Sequence, residues 1–301
     1  MPSVRARLLS VAIRLLRVRR KYDGPERIRQ TIAADRAKSP ATPPSALRSQ
    51  VSVHEREFAG RAVYVLSPRV GGSRRHVLYL HGGGWVESIT DTHWEMIAKL
   101  VRQLDCAITV PMYPLAPEHT AREIFDWLVP LYEDLADQVP EGELTVMGDS
   151  AGGNLALSLV VQATANGVPR PAGLVLLSPC LDASLSDPAI TALDHIDPIV
   201  PAHGAAELAR MYAGTLDTHD PVVSPLFADL NGLPPIALFT GTHEILNSDA
   251  RRFRQRADHS GVPLSWHEYP AMLHVWPLFP IPEARRALDE IAAFVANVGV
   301  R

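Results

Sequence analysis

The chain has 301 residues, of which 47% are hydrophobic and 21% charged, with a net charge of −4 at pH 7. This is the composition of a globular protein with a sizeable core, and it gives no basic footprint for nucleic acid. No run approaches the roughly 18 uninterrupted apolar residues of a membrane span, and two cysteines, Cys106 and Cys180, cannot build a disulfide framework. These features are consistent with a cytoplasmic protein that has no nucleic-acid partner.

The first twenty residues predict a basic amphipathic helix. Its apolar stripe consists of Val4, Leu8, Val11, Leu15 and Val18, and arginines are spread over the remaining positions. Arginines interrupt the apolar run and no small-residue cleavage site follows, which argues against a secretory signal. We favour a helix that packs on the body of the protein; the alternative is a peripheral membrane helix on anionic lipid.

Strands and helices alternate through most of the remaining chain, after a charged and then Pro/Ser/Ala-rich stretch at 21–50 that predicts a linker. Strands are predicted at 52–58, 61–66, 76–80, 107–110, 144–147, 173–178, 236–240 and 264–269, and helices at 92–104, 121–136, 154–165, 248–259 and 282–298. Residues 181–222 break the rhythm, with one short helix at about 205–212, as expected of an insertion over a site. The alternation predicts an α/β protein with a mostly parallel sheet, helices on both faces and ligands at the carboxyl ends of the strands.

The stretch Gly148-Asp149-Ser150-Ala151-Gly152 fits G-x-S-x-G between a buried strand and a helix. A nucleophilic Ser at such a sharp turn needs nearly side-chain-free neighbours two residues before and two after, and Gly148 and Gly152 meet this requirement. The helix that begins beneath Ser150 also points its positive end at any oxyanion formed there. The alternative is an ordinary strand-to-helix turn with a capping serine.

A serine nucleophile needs a base, and the base needs a third group to orient it, in the chain order Ser, acid, His. The histidines after Ser150 are His195, His203, His219, His243, His259, His267 and His274. Of these, His274 lies in the loop after the last strand, where a base is expected. Glu244 is the first carboxylate beyond strand 236–240, and we favour it as the acid over Asp249, which suits a role at the start of the next helix.

Backbone N–H donors for a tetrahedral intermediate are predicted in two places. One is Ala151, directly after the nucleophile. The others lie in the three glycines after His81, namely Gly82, Gly83 and Gly84. A flexible turn is the alternative for these glycines, but their place between a buried strand and Trp85 favours an oxyanion loop. His81 itself is expected to hold this loop, and Glu118 to fix a loop through its carboxylate.

Four motifs together resemble the hormone-sensitive-lipase-like (bacterial family IV) carboxylesterases of the α/β-hydrolase fold. They are H-G-G-G-W at 81–85, Y-x-L-A-P-E-H at 113–119, G-D-S-A-G-G at 148–153 and S-P-L-F-A-D-L-x-G-L-P-P at 224–235. The resemblance implies a Ser150–His274–Glu244 triad and a helical cap. It also implies a domain division, in which residues 1–50 form N-terminal cap helices and a linker. Residues 51–301 then form a catalytic domain that carries a cap insertion at about 181–222. Glu244-Ile245-Leu246 departs from the family's D-P-L, and Pro114 replaces an arginine.

The resemblance further implies a serine carboxylesterase that acts on short- to medium-chain esters through an acyl-enzyme intermediate. A lactonase or deacetylase using the same triad, and a non-catalytic ligand-binding protein on the same scaffold, remain as alternatives. Trp85 and Trp276 flank the catalytic loops and either wall the substrate pocket or belong to the core. Because H-E-x-x-H, C-x-x-C, Walker A and G-x-G-x-x-G are absent from the sequence, no metal or cofactor is predicted; a homodimer is left open.

Overall fold

A computed structural model describes residues 2–38 and 41–299, and within these ranges eight strands form one sheet. The strands are β1 (Ser52–Phe58), β2 (Arg61–Ser67), β3 (His76–Leu80), β4 (Ala107–Pro111), β5 (Leu144–Asp149), β6 (Gly173–Leu177), β7 (Ile236–Gly241) and β8 (Leu264–Tyr269). Their order across the sheet is β1-β2-β4-β3-β5-β6-β7-β8; β1 pairs with β2 and β2 with β4 antiparallel, and the other pairs are parallel. The predicted α/β-hydrolase fold is confirmed in its mostly parallel sheet.

The α-helices of the described residues are α1 (Val4–Leu16), α2 (Pro25–Arg36), α3 (Asp91–Leu104), α4 (Ala121–Gln138), α5 (Ala151–Ala165), α6 (Ile190–Asp194), α7 (Ala202–Ala213), α8 (Asn247–His259) and α9 (Pro282–Asn297). Most of them connect parallel strands, as a parallel sheet requires. α6 and α7 lie in the predicted insertion at 181–222. None of the helices in residues 2–38 and 41–299 combines the length and apolarity needed to cross a membrane.

Two apolar layers sandwich the sheet, because successive side chains of a strand point to opposite faces. Leu78 and Val146 belong to the layer that contains α4 and α5, whereas Val77 and Met147 belong to the layer that contains α3 and α9. Every residue of β5 is buried, which explains why it reads as a continuous apolar run in the sequence. The sheet is therefore a rigid platform from whose carboxyl edge the functional loops emerge.

The register places four loop origins side by side at that edge. Leu80 of β3 is level with Gly148 of β5, and Gly241 of β7 is level with Tyr269 of β8. The loops that follow these strands carry the glycine run, Ser150, Glu244 and His274. Residues far apart in the chain thus meet because parallel strands end together.

The N-terminal segment differs from its prediction in two ways. α2 occupies part of the stretch predicted as a linker: Pro25 begins it, and Ile28 and Ile32 are buried one turn apart. Ser39 and Pro40, also within that predicted linker, lie outside the described residues. α1 does pack on the body of the protein, but through Ala6 and Ile13 rather than through its apolar stripe, which faces solvent.

Candidate active site

Ser150 lies at a strained turn between β5 and α5. Its φ of 53° is in the region that non-glycine residues seldom adopt, and such a conformation persists only where its surroundings enforce it. A Cβ on Gly148 would lie 2.2 Å from the carbonyl oxygen of Gly152, and one on Gly152 would lie 2.1 Å from that of Leu80. The two glycines are therefore required by close backbone contact, as the sequence pattern predicts.

The structure brings the three predicted polar side chains together. Nε2 of His274 lies 2.8 Å from Oγ of Ser150, and Nδ1 of His274 lies 2.7 Å from Oε2 of Glu244. Both distances are those of hydrogen bonds. All three side chains come from loops at the carboxyl edge of the sheet, so a proton can pass from the hydroxyl to the imidazole without rearrangement.

Glu244 is fixed through its second carboxylate oxygen. Oε1 accepts hydrogen bonds from the hydroxyl of Thr240 at 2.8 Å and from the N–H of Gly241 at 2.7 Å, and the whole residue is buried. These bonds leave Oε2 directed at His274. The longer Glu therefore reaches the imidazole from the position where the resembling family has Asp.

Asp249, the alternative acid, has different partners. It lies in the first turn of α8, and Arg252 donates to its Oδ1 at 2.8 Å and to Asp182 at 2.9 Å. Burial, together with the nearby charge of Asp182, raises the pKa of Asp249 to about 7. Its carboxylate thus belongs to a buried cluster around Arg252 and not to the imidazole of His274.

The pKa of His274 is raised although burial by itself would lower it. The hydrogen bond and the charge of Glu244 outweigh burial, and the charges of Asp197 and Asp149 add to their effect. An imidazolium at this position is therefore stabilised by negative charge. That is the electrostatic requirement for a base that accepts a proton from a hydroxyl.

The glycine loop does not offer all of its amides. The N–H of Gly82 donates to Oδ1 of Asp149 at 2.9 Å, so the prediction of Gly82 as an oxyanion donor is wrong. Gly83, with φ of 117°, and Gly84, with φ of 59°, both line the cavity beside Ser150, as does Ala151. Among the described residues, the amides of these three donate no hydrogen bond to the protein.

Asp149 is a residue whose role the sequence reasoning missed. It is buried and accepts from the hydroxyl of Tyr79 at 2.5 Å as well as from Gly82, while Nε2 of His93 lies 3.3 Å away. Burial raises its pKa, but His93 and Tyr79 outweigh this effect and the net pKa is lowered. Asp149 therefore ties the glycine loop to the nucleophile strand; a charged residue at the end of a strand predicted to be buried was the available signal.

His81 supports the same loop. Its Nδ1 lies 2.7 Å from the carbonyl oxygen of Gly82, and its ring stacks on Tyr113 with centroids 4.5 Å apart. Burial lowers the pKa of His81 to about 4, so the ring is neutral near pH 7. Glu118 lies in the loop between β4 and α4 and is paired with Arg36 of α2. This ion pair joins that loop to the N-terminal segment.

Asp197 connects the cap insertion to the acid loop, and no sequence pattern indicated it. Its carboxylate accepts from the N–H groups of Ile199, Val200 and Ile245, the last at 2.9 Å. Ile245 directly follows Glu244. Burial raises the pKa of Asp197, partly opposed by His274 and by these N–H groups.

A cavity of about 880 Å³, counting the solvent at its mouth, opens above Ser150 and His274. Its walls are largely apolar and include Ile199, Val200 and Leu208 from the cap insertion. Trp85 lines this cavity and stacks on Tyr212 of α7, with ring centroids 4.4 Å apart. The insertion at 181–222 therefore supplies one apolar part of the surface that a ligand would contact.

Trp276 does not line this cavity, so its prediction as a substrate-binding residue is wrong. It is fully buried in the apolar layer that contains α3 and α9, against Tyr269. The 3₁₀ turn at Trp276–Leu278 directs it inward.

Within residues 2–38 and 41–299, no group of three or more His, Cys, Asp or Glu side chains is arranged to hold a metal ion.

Comparison with known proteins agrees with this geometry. Residues 77–278 match a family described by the alpha/beta hydrolase fold. An esterase from Acinetobacter venetianus is 32% identical over 226 residues, covering 74% of this chain and 75% of that protein. The chain belongs to the hormone-sensitive-lipase-like esterase family of α/β hydrolases.

Two further similarities support this membership. An acetyl-hydrolase from Streptomyces hygroscopicus is 32% identical over 224 residues, covering 73% of this chain and 75% of that protein. The crystal structure of EstE7, a homologue of hormone-sensitive lipase from a metagenome library, superposes with a TM-score of 0.84 at 26% identity and covers 98% of this chain and 99% of that one. Carboxylic ester hydrolysis on this scaffold is the activity that the family and these names support.

Proposed function

We propose that this esterase is a serine carboxylesterase that works through an acyl-enzyme intermediate. The supporting observation is the line of two hydrogen-bonded contacts from Oγ of Ser150 through the imidazole of His274 to Glu244, at 2.8 and 2.7 Å. Hydrogen-bond distance between nucleophile and base, with the base oriented by a third group, is the arrangement that activates a hydroxyl.

In the proposed first step, Nε2 of His274 takes the proton of Ser150 while Oγ attacks the ester carbonyl. The amides of Gly83, Gly84 and Ala151 donate to the oxyanion, and the positive end of α5 adds to this stabilisation. The protonated imidazole then gives its proton to the leaving alkoxide, and the acyl group stays on Ser150. Glu244 keeps the imidazole in the productive tautomer and stabilises its charge without taking the proton.

In the second step, His274 deprotonates a water molecule that attacks the acyl-serine. As the tetrahedral intermediate collapses, the protonated imidazole returns this proton to Oγ of Ser150 and the carboxylic acid leaves. The same oxyanion donors serve both steps because both pass through a tetrahedral intermediate. No proton or electron is left unbalanced, so the proposal requires no cofactor.

We further propose short to medium acyl chains as substrates. The cap insertion restricts the space above the glycine loop: a Cβ on Gly84 would lie 2.7 Å from Cδ1 of Leu208. Trp85, stacked on Tyr212, forms one apolar wall near Ser150. The name of the similar acetyl-hydrolase favours an acetyl ester as a particular case, and lactones and acetylated amides stay open as alternatives on the same triad.

The test is a series of p-nitrophenyl esters, from acetate through butyrate and hexanoate to decanoate, assayed with wild type and Ser150→Ala. We expect kcat/KM to be highest below decanoate and Ser150→Ala to lose on the order of 10⁶ in kcat. Pre-steady-state release of p-nitrophenol in a burst equal to the enzyme concentration would support the acyl-enzyme. Unchanged hydrolysis by Ser150→Ala would contradict the proposal, and a wild type without hydrolysis would favour a ligand-binding protein instead.

A cytoplasmic location stays a prediction from the sequence, whereas a homodimer and contact of the N-terminal helix with membrane stay open alternatives.

A further inference from the structure

α1 presents its large apolar side chains to solvent. The exposed fractions are 69% for Val4, 64% for Leu8, 53% for Val11 and 76% for Leu15. We call these four residues the outer stripe. At about 100° per helical residue, the outer stripe lies roughly opposite Ala6 and Ile13, through which α1 packs on the body. A surface helix normally buries its apolar stripe. In α1 the large apolar residues of the outer stripe are instead exposed.

Cations border the outer stripe. The chain before Asp23 carries seven basic side chains and no acidic one, although the whole protein has a net charge of −4. On the helix, Arg7 and Arg14 lie along one side of the outer stripe and Arg5 along the other. An apolar face flanked by arginines is the composition of a helix that lies in the interface of an anionic bilayer.

Contacts at both ends hold α1 at the edge of the sheet that carries Ser150. The N–H and the hydroxyl of Ser3 donate to Glu283 in the first turn of α9, at 2.5 and 2.9 Å. Near the other end, the guanidinium of Arg14 donates to the carbonyl of Ile196 in the cap insertion. α1 is thus already folded and positioned, so docking would cost little ordering entropy.

The turn that follows α1 in the chain reaches the cavity that contains Ser150. The 3₁₀ turn at Val18–Tyr22 follows α1, and its residues Lys21 and Tyr22 line the same cavity as Ser150. Both bind the carboxylate of Glu87, Lys21 at 2.7 Å and Tyr22 at 2.5 Å. One short turn therefore joins α1 to the lining of the cavity.

We propose that α1 is a docking surface for an anionic lipid bilayer, with the outer stripe at the acyl boundary and its arginines on the headgroup phosphates. A second copy of this chain is a poorer occupant, because pairing two outer stripes would bring two sets of arginines together. Docking would bring membrane-borne esters near Ser150, and this consequence rests on the proposed function. The docking itself does not depend on that function.

The test is co-sedimentation with vesicles of phosphatidylcholine alone or mixed with phosphatidylglycerol. One variant replaces the outer stripe (Val4→Gln, Leu8→Gln, Val11→Gln, Leu15→Gln) and another replaces two flanking cations (Arg5→Gln, Arg7→Gln). The matched control, Val70→Gln with Arg74→Gln, changes the same residue types in the exposed loop between β2 and β3, at the opposite edge of the sheet.

We expect wild type and the control to bind phosphatidylglycerol vesicles equally and the outer-stripe variant to bind at least tenfold more weakly. Each arginine removed is expected to weaken binding roughly fivefold at low salt, and high salt is expected to weaken wild type. Absence of binding by wild type, or equal binding by the outer-stripe variant, would overturn the proposal. A second outcome would also overturn it: wild type is a dimer that does not bind vesicles, and the outer-stripe variant is a monomer.

Two measurements separate this inference from the proposed function. Ser150→Ala is expected to bind vesicles as wild type does, because the outer stripe does not involve the triad. All the surface variants are expected to hydrolyse a water-soluble aryl ester at the wild-type rate when no vesicles are present. Inactivity of wild type on that ester would overturn the proposed function and leave the vesicle result standing.

Discussion

The loops around Ser150 and the outer face of α1 both place apolar side chains beside charged ones, yet their environments are opposite. Around Ser150 the charged groups are buried and each has partners: Glu244 bonds to Thr240, Gly241 and His274. On α1 the outer stripe and the flanking arginines are exposed. The first region is therefore determined by contacts within the protein, whereas the second is accessible to an external partner.

This difference has an energetic side. A buried polar group left without its partner costs about 1–3 kcal/mol, and a charged one more, so substitutions near Ser150 affect both folding and chemistry. Exposed side chains usually change the free energy of unfolding by no more than about 0.5 kcal/mol.

Glu244→Gln is expected to lower kcat on p-nitrophenyl butyrate by on the order of 10³–10⁴, because a neutral amide neither stabilises the imidazolium nor fixes its tautomer. The matched control is Asp249→Asn, which changes the neighbouring buried carboxylate that meets Arg252 instead of His274. Steady-state kinetics on both variants checks this prediction. Equal losses in the two variants would show that Glu244 has no special relation to His274.

Gly152→Ala is expected to lower the free energy of unfolding by more than about 3 kcal/mol, because its Cβ would lie 2.1 Å from the backbone oxygen of Leu80. Gly261→Ala serves as control: no atom lies within 4 Å of its Cβ, and its φ of +67° costs only about 1–2 kcal/mol. Urea denaturation measures both. Similar losses for the two variants would contradict the close-contact explanation of the elbow glycines.

Asp197→Asn is expected to move the acidic limb of the kcat/KM profile to lower pH. The reaction requires neutral His274, so activity rises as pH rises through the pKa of that imidazole. The negative charge of Asp197 helps to raise this pKa, and its removal lowers it. A limb that stays in place or moves to higher pH would show that Asp197 acts only as a structural link between the cap insertion and the acid loop.

The smallest effect is expected on α1. Replacing the outer stripe with glutamines should lower the free energy of unfolding by no more than about 0.5 kcal/mol per substitution, since all four residues are more than half exposed. Thermal and urea unfolding check this. A total loss of more than about 2 kcal/mol would mean that the outer stripe is part of the core, and the contrast between the two regions would fail.

The sequence predicts the buried parts of this molecule best. The sequence anticipates every strand of the sheet, and the central strands such as β5 are apolar runs because they are buried on both faces. The convergence of Ser150, Glu244 and His274 also follows from their positions after parallel strands, since such strands end at one edge. In these places a local pattern and a global constraint agree.

The sequence predicts least where a group has several partners to choose from. A run of three glycines does not reveal which amide is already bonded, and the bond from Gly82 depends on Asp149, far away in the chain. Trp276 and Trp85 each lie next to a catalytic loop in the sequence, but the backbone directs Trp276 into the core and Trp85 toward the cavity. For α1, periodicity identifies the apolar face but not the direction in which it points.

The central claim, that Ser150 is the nucleophile, is tested most directly by reaction with a fluorophosphonate probe followed by mass spectrometry of the digested protein. We expect stoichiometric phosphonylation on the peptide that contains Ser150, slowed by several orders of magnitude in His274→Ala and absent in Ser150→Ala. Modification at another residue, or undiminished labelling of Ser150→Ala, would contradict it.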